Sequence, residues 1–370
     1  MKAESDGERY MGTLSRVLVH AYCDNDHRAL REDREPSGGD WRHVAGLNRP
    51  QWEEFLALAH SHHVVMRALA VLQHQADALG ENKVAASCEI ALAAERARIE
   101  HAVGFLRRIC QALGTRGCEV TVIKSLDHWP DLGSDLDLYT TAGHHCVEEV
   151  MRREFNASRV AHSWGDRLAN KWNFKVPGLP ELVEIHVRFL GQTGEQDRMA
   201  RRIIERRMTK PVAGHQFCVP APEERILIST LQRMYRHFYF RLCDMIDVAL
   251  LLRRETVDFD ELRRAADLAG IWPGVARFLC LIRSYLEAYG GSMTLPHEMM
   301  ASQGAATGVR FKDGFLRVSK LAAAGLYGSQ LLHAGLHRDL RSLVRLPLLP
   351  PLAVSALVAY RLTGSDKGIW

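Results

Sequence analysis

The chain has 370 residues, of which 47% are hydrophobic and 25% are charged, as in an ordinary globular protein with room for two or three packed units. Its formal net charge is only +4, so composition gives no case for a protein that coats nucleic acid. The eight cysteines are scattered without a Cys-x-x-Cys pair, and the N-terminal sequence MKAESDGERYMG has no apolar segment. These features argue against a disulfide framework, a zinc ribbon and a signal peptide, and they favour a cytoplasmic protein.

The first part of the chain, up to about residue 115, is predicted to be mainly helical. A short helix is expected around residues 10–20, followed by a loop at 31–40, where the sequence REDREPSGGD is charged and contains turn-forming residues. Apolar residues then recur at helical spacing over 52–69 and again over 84–113. Gly114 is predicted to end the second of these helical segments.

The pattern changes to short strands in the middle of the chain. Strands are predicted at 119–123, 135–139, 171–176 and 182–189, with a helix at 143–155. The last two strands flank the turn Pro177-Gly178-Leu179-Pro180 and alternate polar with apolar residues, which predicts a β-hairpin. The run His144-His145-Cys146 matches no zinc motif and is interpreted as the start of the helix.

From Pro222 the chain returns to helical periodicity. Helices are predicted over 223–240, 241–253, 259–269 and 275–289, with one or two more between 311 and 337. The segment 346–360, LPLLPPLAVSALVAY, carries no charge, but it is short and rich in proline, so we expect no transmembrane segment. Two interpretations remain open: a helix that caps the core or lies in a groove, or a peripheral contact with a membrane surface or a lipid-linked acceptor.

One stretch organises the middle of the chain: residues 121–139, TVIKSLDHWPDLGSDLDLY. Side chains alternate between the two faces of a strand, so Asp135 and Asp137 project to one side while Leu136 and Leu138 project into a core. Two adjacent carboxylates on a strand repel each other, and a divalent cation such as Mg²⁺ offsets that repulsion. The alternative is a surface turn, because Gly-Ser-Asp forms turns on its own.

A strand that ends at Lys124-Ser125, followed about ten residues later by Asp-Leu-Asp-Leu, resembles the nucleotidyltransferase superfamily that includes DNA polymerase β and the aminoglycoside nucleotidyltransferases. The Lys124-Ser125 pair is most similar to a poorly characterised bacterial branch whose turn has Lys-Gly, although Ser125 departs from that glycine. Residues 50–70 and 220–254 are similar to helical parts of the same branch. The resemblance implies an α+β fold in which a mixed β-sheet core (116–220) is flanked by largely helical regions (1–115 and 221–370).

The resemblance also implies that three carboxylates bind two Mg²⁺ ions. Asp135 and Asp137 supply two of them, and Glu184 fits the third because it lies on the polar face of a neighbouring strand. The alternative is that Glu184 pairs with Arg188 or Lys175 on a solvated face of the sheet.

Several further residues are expected to bind the NTP by the same resemblance. Lys124 is expected to bind the phosphates as a point charge, and Ser125 and Ser134 to donate hydrogen bonds to them. Lys175 is our choice for a phosphate or base contact from the first hairpin strand, and His186 for orienting the carboxylates or the acceptor. For each of these residues a solvated or purely structural role is the alternative.

Two charged features outside the strands are ambiguous in the sequence. Asp247 lies inside an apolar helix and is interpreted either as a hydrogen-bond partner between helices or as a contact in the substrate cleft. The pairs Arg201-Arg202 and Arg206-Arg207 form a local basic patch, which is interpreted either as a solvated helix face or as a small nucleic-acid contact.

These observations predict a metal-dependent nucleotidyltransferase. It would move an NMP from Mg-NTP, with ATP as the preferred donor, to an unidentified acceptor, a small molecule or a peptide, with release of pyrophosphate. Two alternatives remain: a catalytically silent nucleotide-binding scaffold of a biosynthetic complex, suggested by Ser125 in place of glycine, and a toxin-like tRNA nucleotidyltransferase. The low net charge gives no strong nucleic-acid footprint for the last of these.

Overall fold

A computed structural model describes residues 5–23, 40–301 and 309–364 of the chain. The helices before the first strand are α1 (Asp6–Tyr22), α2 (Asp40–Ala45), α3 (Arg49–Ser61), α4 (Val65–Ala78) and α5 (Asn82–Thr115). The loop expected at 31–40 lies outside the described residues except for Asp40, where α2 begins.

The N-terminal region is helical as predicted, but two boundaries differ. The apolar run at 52–69 is not one helix, because His63 has a φ of 51° and a left-handed residue cannot continue a right-handed helix. Gly114 does not end α5, which continues to Thr115. The left-handed residue that follows is Gly117, with a φ of 74°, a conformation that glycine adopts without strain.

The middle of the chain forms a mixed five-stranded sheet. Its strands are β1 (Val120–Val122), β2 (Asp135–Thr140), β3 (Ser158–Arg159), β4 (Lys171–Lys175) and β5 (Leu182–Val187), in the order β1-β2-β5-β4-β3. Strand β2 runs parallel to β5 and antiparallel to β1, while β4 is antiparallel to both of its neighbours. With the helices around it, this sheet confirms the predicted α+β fold.

The sheet packs one face against helices and leaves the other for polar residues. Leu136 and Leu138 are fully buried in a core that also contains Val103 and Leu106 of α5. The helices α6 (His144–Phe155) and α7 (Trp164–Ala169) connect the strands, and α6 begins at His144 as predicted.

The elements after the sheet are mainly helical. In chain order they are α8 (Arg198–Glu205), β6 (Met208–Val212), β7 (His215–Val219), α9 (Pro222–Thr230), a π-helix (Leu231–His237), β8 (Tyr239–Phe240), α10 (Leu242–Arg254), α11 (Phe259–Leu268), α12 (Trp272–Ala288), α13 (His297–Ala301), β9 (Arg310–Lys312), β10 (Phe315–Arg317), α14 (Lys320–Leu336), α15 (Leu340–Arg345), a 3₁₀ turn (Leu346–Leu348) and α16 (Leu349–Thr363).

Two helical predictions in this region are confirmed only in part, the second by α14, which lies within 311–337. The helix expected over 223–240 changes to a π-helix after Thr230 and stops at Phe238, whose left-handed φ of 56° turns the chain into β8. The segment from Arg310 to Arg317 is a hairpin rather than the start of a helix, because Asp313 and Gly314 both have positive φ and form its turn.

The helices at the two ends of the chain share one core. Leu14 of α1, Leu69 of α4, Ile246 of α10 and Phe278 of α12 belong to a single buried cluster. A separate cluster lies between the sheet and α5. The division into three regions at 115 and 220 stays a prediction.

The last helices form one continuous apolar stretch. Among the described residues, one stretch, Leu340–Thr363, is long and apolar enough to cross a membrane, judged by length and composition alone. Its mean hydropathy is 1.7. Prolines interrupt the α-helix only at the start of the segment 346–360: Pro347 lies in the 3₁₀ turn between α15 and α16. Pro350 and Pro351 lie in the first turn of α16, where a missing N–H breaks no helical hydrogen bond. The expectation of a helix that caps the core is not met over most of its length, because only 17% of the stretch is buried.

Candidate active site

The register between β2 and β5 brings the predicted carboxylates together. Asp137 lies directly opposite Glu184, and Tyr139 lies opposite His186, because the two strands run parallel. Potential ligand atoms of Asp137, Glu184 and His186 all lie within 4.8 Å of one another. Asp135 lines the same pocket two residues before Asp137. The structure therefore places all three predicted metal ligands at one end of the sheet.

The turn after β1 places a lysine beside this cluster. Lys124 has a left-handed φ of 64°, which is strained for a lysine and is the kind of conformation that persists at functional sites. Its Nζ forms an ion pair with Oδ1 of Asp137. The lysine thus lies where a cation is needed, at the most buried carboxylate of the cluster.

Ser125 orders the carboxylate strand through its hydroxyl group. The Oγ of Ser125 donates to the carbonyl oxygen of Asp135 at 3.1 Å and accepts from the N–H of Asp137 at 2.8 Å. Its own N–H donates to the carbonyl oxygen of Ile123 at 2.7 Å. Both donors of this buried serine already have partners, so its predicted phosphate contact gains no support from the geometry.

The carboxylates differ in how their charge is balanced. Burial, and then the nearby charges of Glu184 and Asp137, raise the pKa of Asp135 to about 6. Burial also opposes the ionisation of Asp137, but the ammonium group of Lys124 outweighs it and holds the pKa of that carboxyl well below its usual range. Crowded negative charge of this kind is what a bound cation relieves.

Lys171, rather than Lys175, reaches the cluster from β4. The Nζ of Lys171 lies 3.1 Å from Oε1 of Glu184 and 3.0 Å from Oδ1 of Asp166. Lys175 is exposed at the other end of β4, opposite Ser158, and is not among the residues that line the pocket. Its predicted nucleotide contact is therefore not supported by its position.

The other two predicted nucleotide-binding residues lie at the cluster. Ser134 is exposed at the rim of the pocket, and its Oγ donates to Oδ2 of Asp135 at 3.1 Å. His186 is buried, with Nε2 3.8 Å from Oδ1 of Asp137, and neither of its ring nitrogens has a hydrogen-bond partner among the described residues. Burial lowers its pKa, so its ring is neutral near pH 7 and retains a lone pair for a ligand.

The opposite wall of the pocket is cationic, and the sequence interpretation missed it. Arg233 and Arg236 of the π-helix, together with Arg241, face the carboxylates across about 660 Å³ of space that includes the open mouth. The Nε groups of Arg236 and Arg241 are buried without a hydrogen-bond partner among the described residues. Buried donors without acceptors are rare in folded proteins and indicate a place for an anion. The signal was present in the run RMYRHFYFR at 233–241, which we interpreted only as a helix.

The donor set fits a divalent cation. Asp135, Asp137 and Glu184 supply carboxylate oxygens, the ligands that Mg²⁺ prefers, and His186 adds a nitrogen that Mn²⁺ and Zn²⁺ also accept. The unpartnered nitrogens of His186 and the raised pKa of Asp135 are two independent signs that the cluster is incomplete without a ligand.

A second group of possible ligands lies nearby but is already neutralised. Asp247 binds Nη1 of Arg67 at 2.6 Å and Nδ1 of His128 at 2.5 Å, and Asp131 binds Nε of the same arginine at 2.7 Å. Cys243 completes the group. Asp247 therefore links α4, the loop before β2 and α10, as in the first of its two interpretations.

Three of the four arginines of the predicted basic patch, all except Arg201, form ion pairs within the chain. Arg202 binds Glu224 and Glu261, and Arg206 binds Glu223, so both arginines are paired within the chain. Arg207 pairs with Glu119 at 2.9 Å. These pairs leave little free charge for nucleic acid at this surface.

Comparison with known proteins assigns this chain to the class of protein that its fold and carboxylate pocket indicate. Residues 48–287 match the model of a family described as an uncharacterised nucleotidyltransferase, and because the match covers well over half of the chain, the protein belongs to that family. An antigenic nucleotidyltransferase-like protein from Paracoccidioides brasiliensis aligns with 53% of this chain and 95% of its own, at 16% identity and a TM-score of 0.32, which is too low to define a shared fold. No curated protein matches the chain.

Proposed function

We propose that the protein transfers a nucleoside monophosphate from a metal-bound NTP, with ATP as the preferred donor, to an acceptor, and releases pyrophosphate. The observation that carries this proposal is the pocket between β2, β5 and the π-helix. Three carboxylates line one wall, and arginines with unpartnered N–H groups line the other. A metal-bound triphosphate supplies a cation for the carboxylates and negatively charged oxygens for the arginines.

Each side chain has a role that follows from its position. Bound at Asp135, Asp137 and Glu184, Mg²⁺ would neutralise charge on the phosphates and lower the pKa of an acceptor hydroxyl. Arg236 and Arg241 bind the triphosphate oxygens with their free donors. Lys124 binds a phosphate once a metal replaces it at Asp137. His186 orients the carboxylate of Asp137.

The transfer itself replaces the phosphorus–oxygen bond to pyrophosphate with a bond to the acceptor. The acceptor oxygen or nitrogen forms a bond to the α-phosphorus as the bond from that phosphorus to the pyrophosphate oxygen breaks, and the proton of the acceptor passes to a carboxylate of the cluster or to water. Pyrophosphate leaves with the electron pair of the broken bond, and the arginine wall stabilises its charge.

A pocket beside the carboxylates supports a small or peptide-like acceptor. It encloses about 640 Å³, including its open mouth, and extends from Lys124 and His186 between Leu190, Ile228 and Leu231. Gln192 lines the same pocket, and its buried Oε1 has no hydrogen-bond partner among the described residues. An uncharged, partly apolar acceptor with an N–H or O–H group fits this lining better than a tRNA backbone does.

The alternative of a silent nucleotide-binding scaffold is favoured by one observation, the internal hydrogen bonds of Ser125, which leave no free donor at the phosphate side of the turn. Such a protein would bind Mg-NTP and release no pyrophosphate with any acceptor. The ion pairs of Arg202 and Arg206 leave no comparable support for a tRNA nucleotidyltransferase.

The first experiment is thermal stabilisation by ATP, GTP, CTP and UTP, each with and without Mg²⁺. At a hundredfold excess over its Kd, a bound nucleotide should add about 2.7 kcal/mol to the free energy of unfolding. We expect a Mg²⁺-dependent increase in Tm, largest with ATP, that is lost in Asp135→Asn/Asp137→Asn.

The matched control is Asp260→Asn/Asp267→Asn, which removes two exposed carboxylates from α11 and should leave the increase unchanged. No increase with any nucleotide would contradict the proposal. An increase without pyrophosphate release from an acceptor mixture would favour the scaffold.

A further inference from the structure

Exposed apolar side chains are concentrated in the last helices. Of the fifteen large hydrophobic residues that are exposed among the described ones, ten lie between Leu332 and Leu362. Leu336, Leu340 and Leu362 expose 73%, 73% and 79% of their surface. Soluble monomers rarely expose contiguous apolar patches of this kind without a partner.

Helix α16 has two apolar faces on opposite sides. At about 100° per residue, the side chains that contact the protein share one face; they are Leu349, Leu352, Ala356 and Ala359. The outer face is also apolar, with Val354 60%, Leu357 52%, Val358 50% and Leu362 79% exposed. A surface helix needs one apolar face to pack on its core, so the second face indicates another apolar surface outside the chain.

The charge on this outer face is positive. Helix α16 contains no Asp or Glu, and its one charged residue is Arg361. Arg361 lies within the stripe of exposed side chains and is itself exposed. A membrane that contains anionic lipids offers an apolar layer and a negative surface together.

We propose that α16 lies on a membrane surface that contains anionic lipids, with its outer face in the boundary between headgroups and acyl chains. This inference rests on the surface of α16 and not on the proposed transfer reaction. It gives the segment 346–360 the peripheral role that was one of its two interpretations.

The stretch Leu340–Thr363 lies on the membrane rather than across it, because the part of it that precedes α16 is bound to the core. Ser342 and Leu346 of the same stretch are buried, and the carbonyl oxygen of Leu346 accepts a hydrogen bond from the hydroxyl group of Tyr327 at 3.1 Å. Arg345 donates to the carbonyl oxygen of Leu168 at 2.7 Å. The free part is α16 with 15 residues, about 22 Å long, which is shorter than the roughly 30 Å of a bilayer core.

A second copy of the chain is a poorer partner for this face. A two-fold interface pairs a patch with itself, so the exposed Arg361 of each copy would meet a surface whose helix supplies no acidic residue. Like charges across an interface oppose association, whereas anionic headgroups attract the same arginine.

The test is co-sedimentation of the full chain with large unilamellar vesicles. One set is pure phosphatidylcholine and the other contains about one quarter phosphatidylglycerol. We expect binding to the anionic set that falls about tenfold in Val354→Glu/Leu357→Glu and weakens with salt. A matched control, Leu79→Glu/Ile90→Glu, places the same charges at exposed apolar positions outside the last helices and should bind like the wild type.

The result is interpreted only with folded variants, so each variant must keep the wild-type Tm and the wild-type far-UV circular dichroism. Wild-type protein that stays in the supernatant with both kinds of vesicle would overturn the proposal. So would wild-type protein that elutes as a dimer in gel filtration while Val354→Glu/Leu357→Glu elutes as a monomer, because the outer face would then bind a second copy.

Discussion

Two carboxylate clusters of this protein lie close to each other and differ in how their charges are satisfied. In the ionic cluster, Asp131 and Asp247 share the guanidinium group of Arg67, and Asp247 also binds His128. In the active-site cluster of Asp135, Asp137 and Glu184, single lysine ammonium groups approach two of the three carboxylates.

The comparison shows that proximity of possible ligands does not by itself identify a metal site. His128, Cys243 and Asp247 are as close together as the ligand atoms of the active-site cluster. However, a cation bound among them would lie beside Arg67, which already binds the other oxygen of Asp247. The active-site cluster differs because buried nitrogens at its edge, including both of His186, have no partner. Unsatisfied groups, rather than ligand spacing, distinguish the candidate active-site cluster from the ionic cluster.

The largest effect is expected from breaking the ionic cluster. Arg67→Met should lower the free energy of unfolding by about 3–5 kcal/mol, because it leaves two buried carboxylates without a counter-charge. The control is Arg49→Met, which removes an exposed arginine paired with Glu53 and should cost less than about 1 kcal/mol. Urea unfolding measures both, and equal losses in the two variants would contradict the structural role of the cluster.

The second prediction concerns the cationic wall of the active site. Arg236→Gln should weaken the binding of Mg-ATP by about 1.5–3 kcal/mol, roughly ten- to a hundredfold in Kd, because a charged donor to the triphosphate is lost. Its effect on the Tm of the free protein should be small, since the Nε of Arg236 has no partner to lose. Arg153→Gln, on the exposed side of α6, is the control for isothermal titration calorimetry. Unchanged affinity in Arg236→Gln would place the triphosphate elsewhere.

The contrast between these two clusters also shows what the sequence reveals and what it does not. Alternation in the strands was enough to predict that Asp135 and Asp137 share a polar face, because strand periodicity is local. That Glu184 lies beside them was predicted from the family resemblance, since the pairing of β2 with β5 is not a local property. The arginine wall could not be placed in the same way. Arg236 is about a hundred positions away, and only the packing of the helices brings the π-helix over the sheet.

Other misses have local causes. The hairpin at Arg310–Lys312 and Phe315–Arg317 carried an Asp-Gly turn signal that helical periodicity around it obscured. The left-handed conformation of Lys124 had no signal, because lysine rarely adopts it.

The third prediction tests the charge imbalance of the active-site cluster in the metal-free protein. The pKa of Asp135 is about 6 in the folded state, against 3.8 when unperturbed. As the pH rises from about 4 to 6, the unfolded chain releases this proton while the folded one retains it, so the free energy of unfolding falls, and it stays lower above pH 6.

Asp135→Asn removes this penalty. In EDTA at pH 8 the variant should therefore be about 1–2 kcal/mol more stable than the wild type, after allowance for solvent screening, and near pH 4 the two should be equal. Urea unfolding at both pH values measures the difference. Lower stability of the variant at pH 8 would show that Asp135 is satisfied without a metal, like the carboxylates of the ionic cluster.

The smallest effect is expected at Ser125, where the two kinds of role can be separated. If its hydroxyl only orders the carboxylate strand, Ser125→Ala should lower the free energy of unfolding by about 1 kcal/mol, because the N–H of Asp137 loses its acceptor. The Kd of Mg-ATP should then stay within about twofold of the wild-type value, since no phosphate contact is lost. A Kd that rises tenfold with unchanged stability would instead assign the hydroxyl to a phosphate. Ser134→Ala is the matched comparison, because Ser134 is exposed at the rim of the same pocket and its hydroxyl binds only a side-chain oxygen of Asp135.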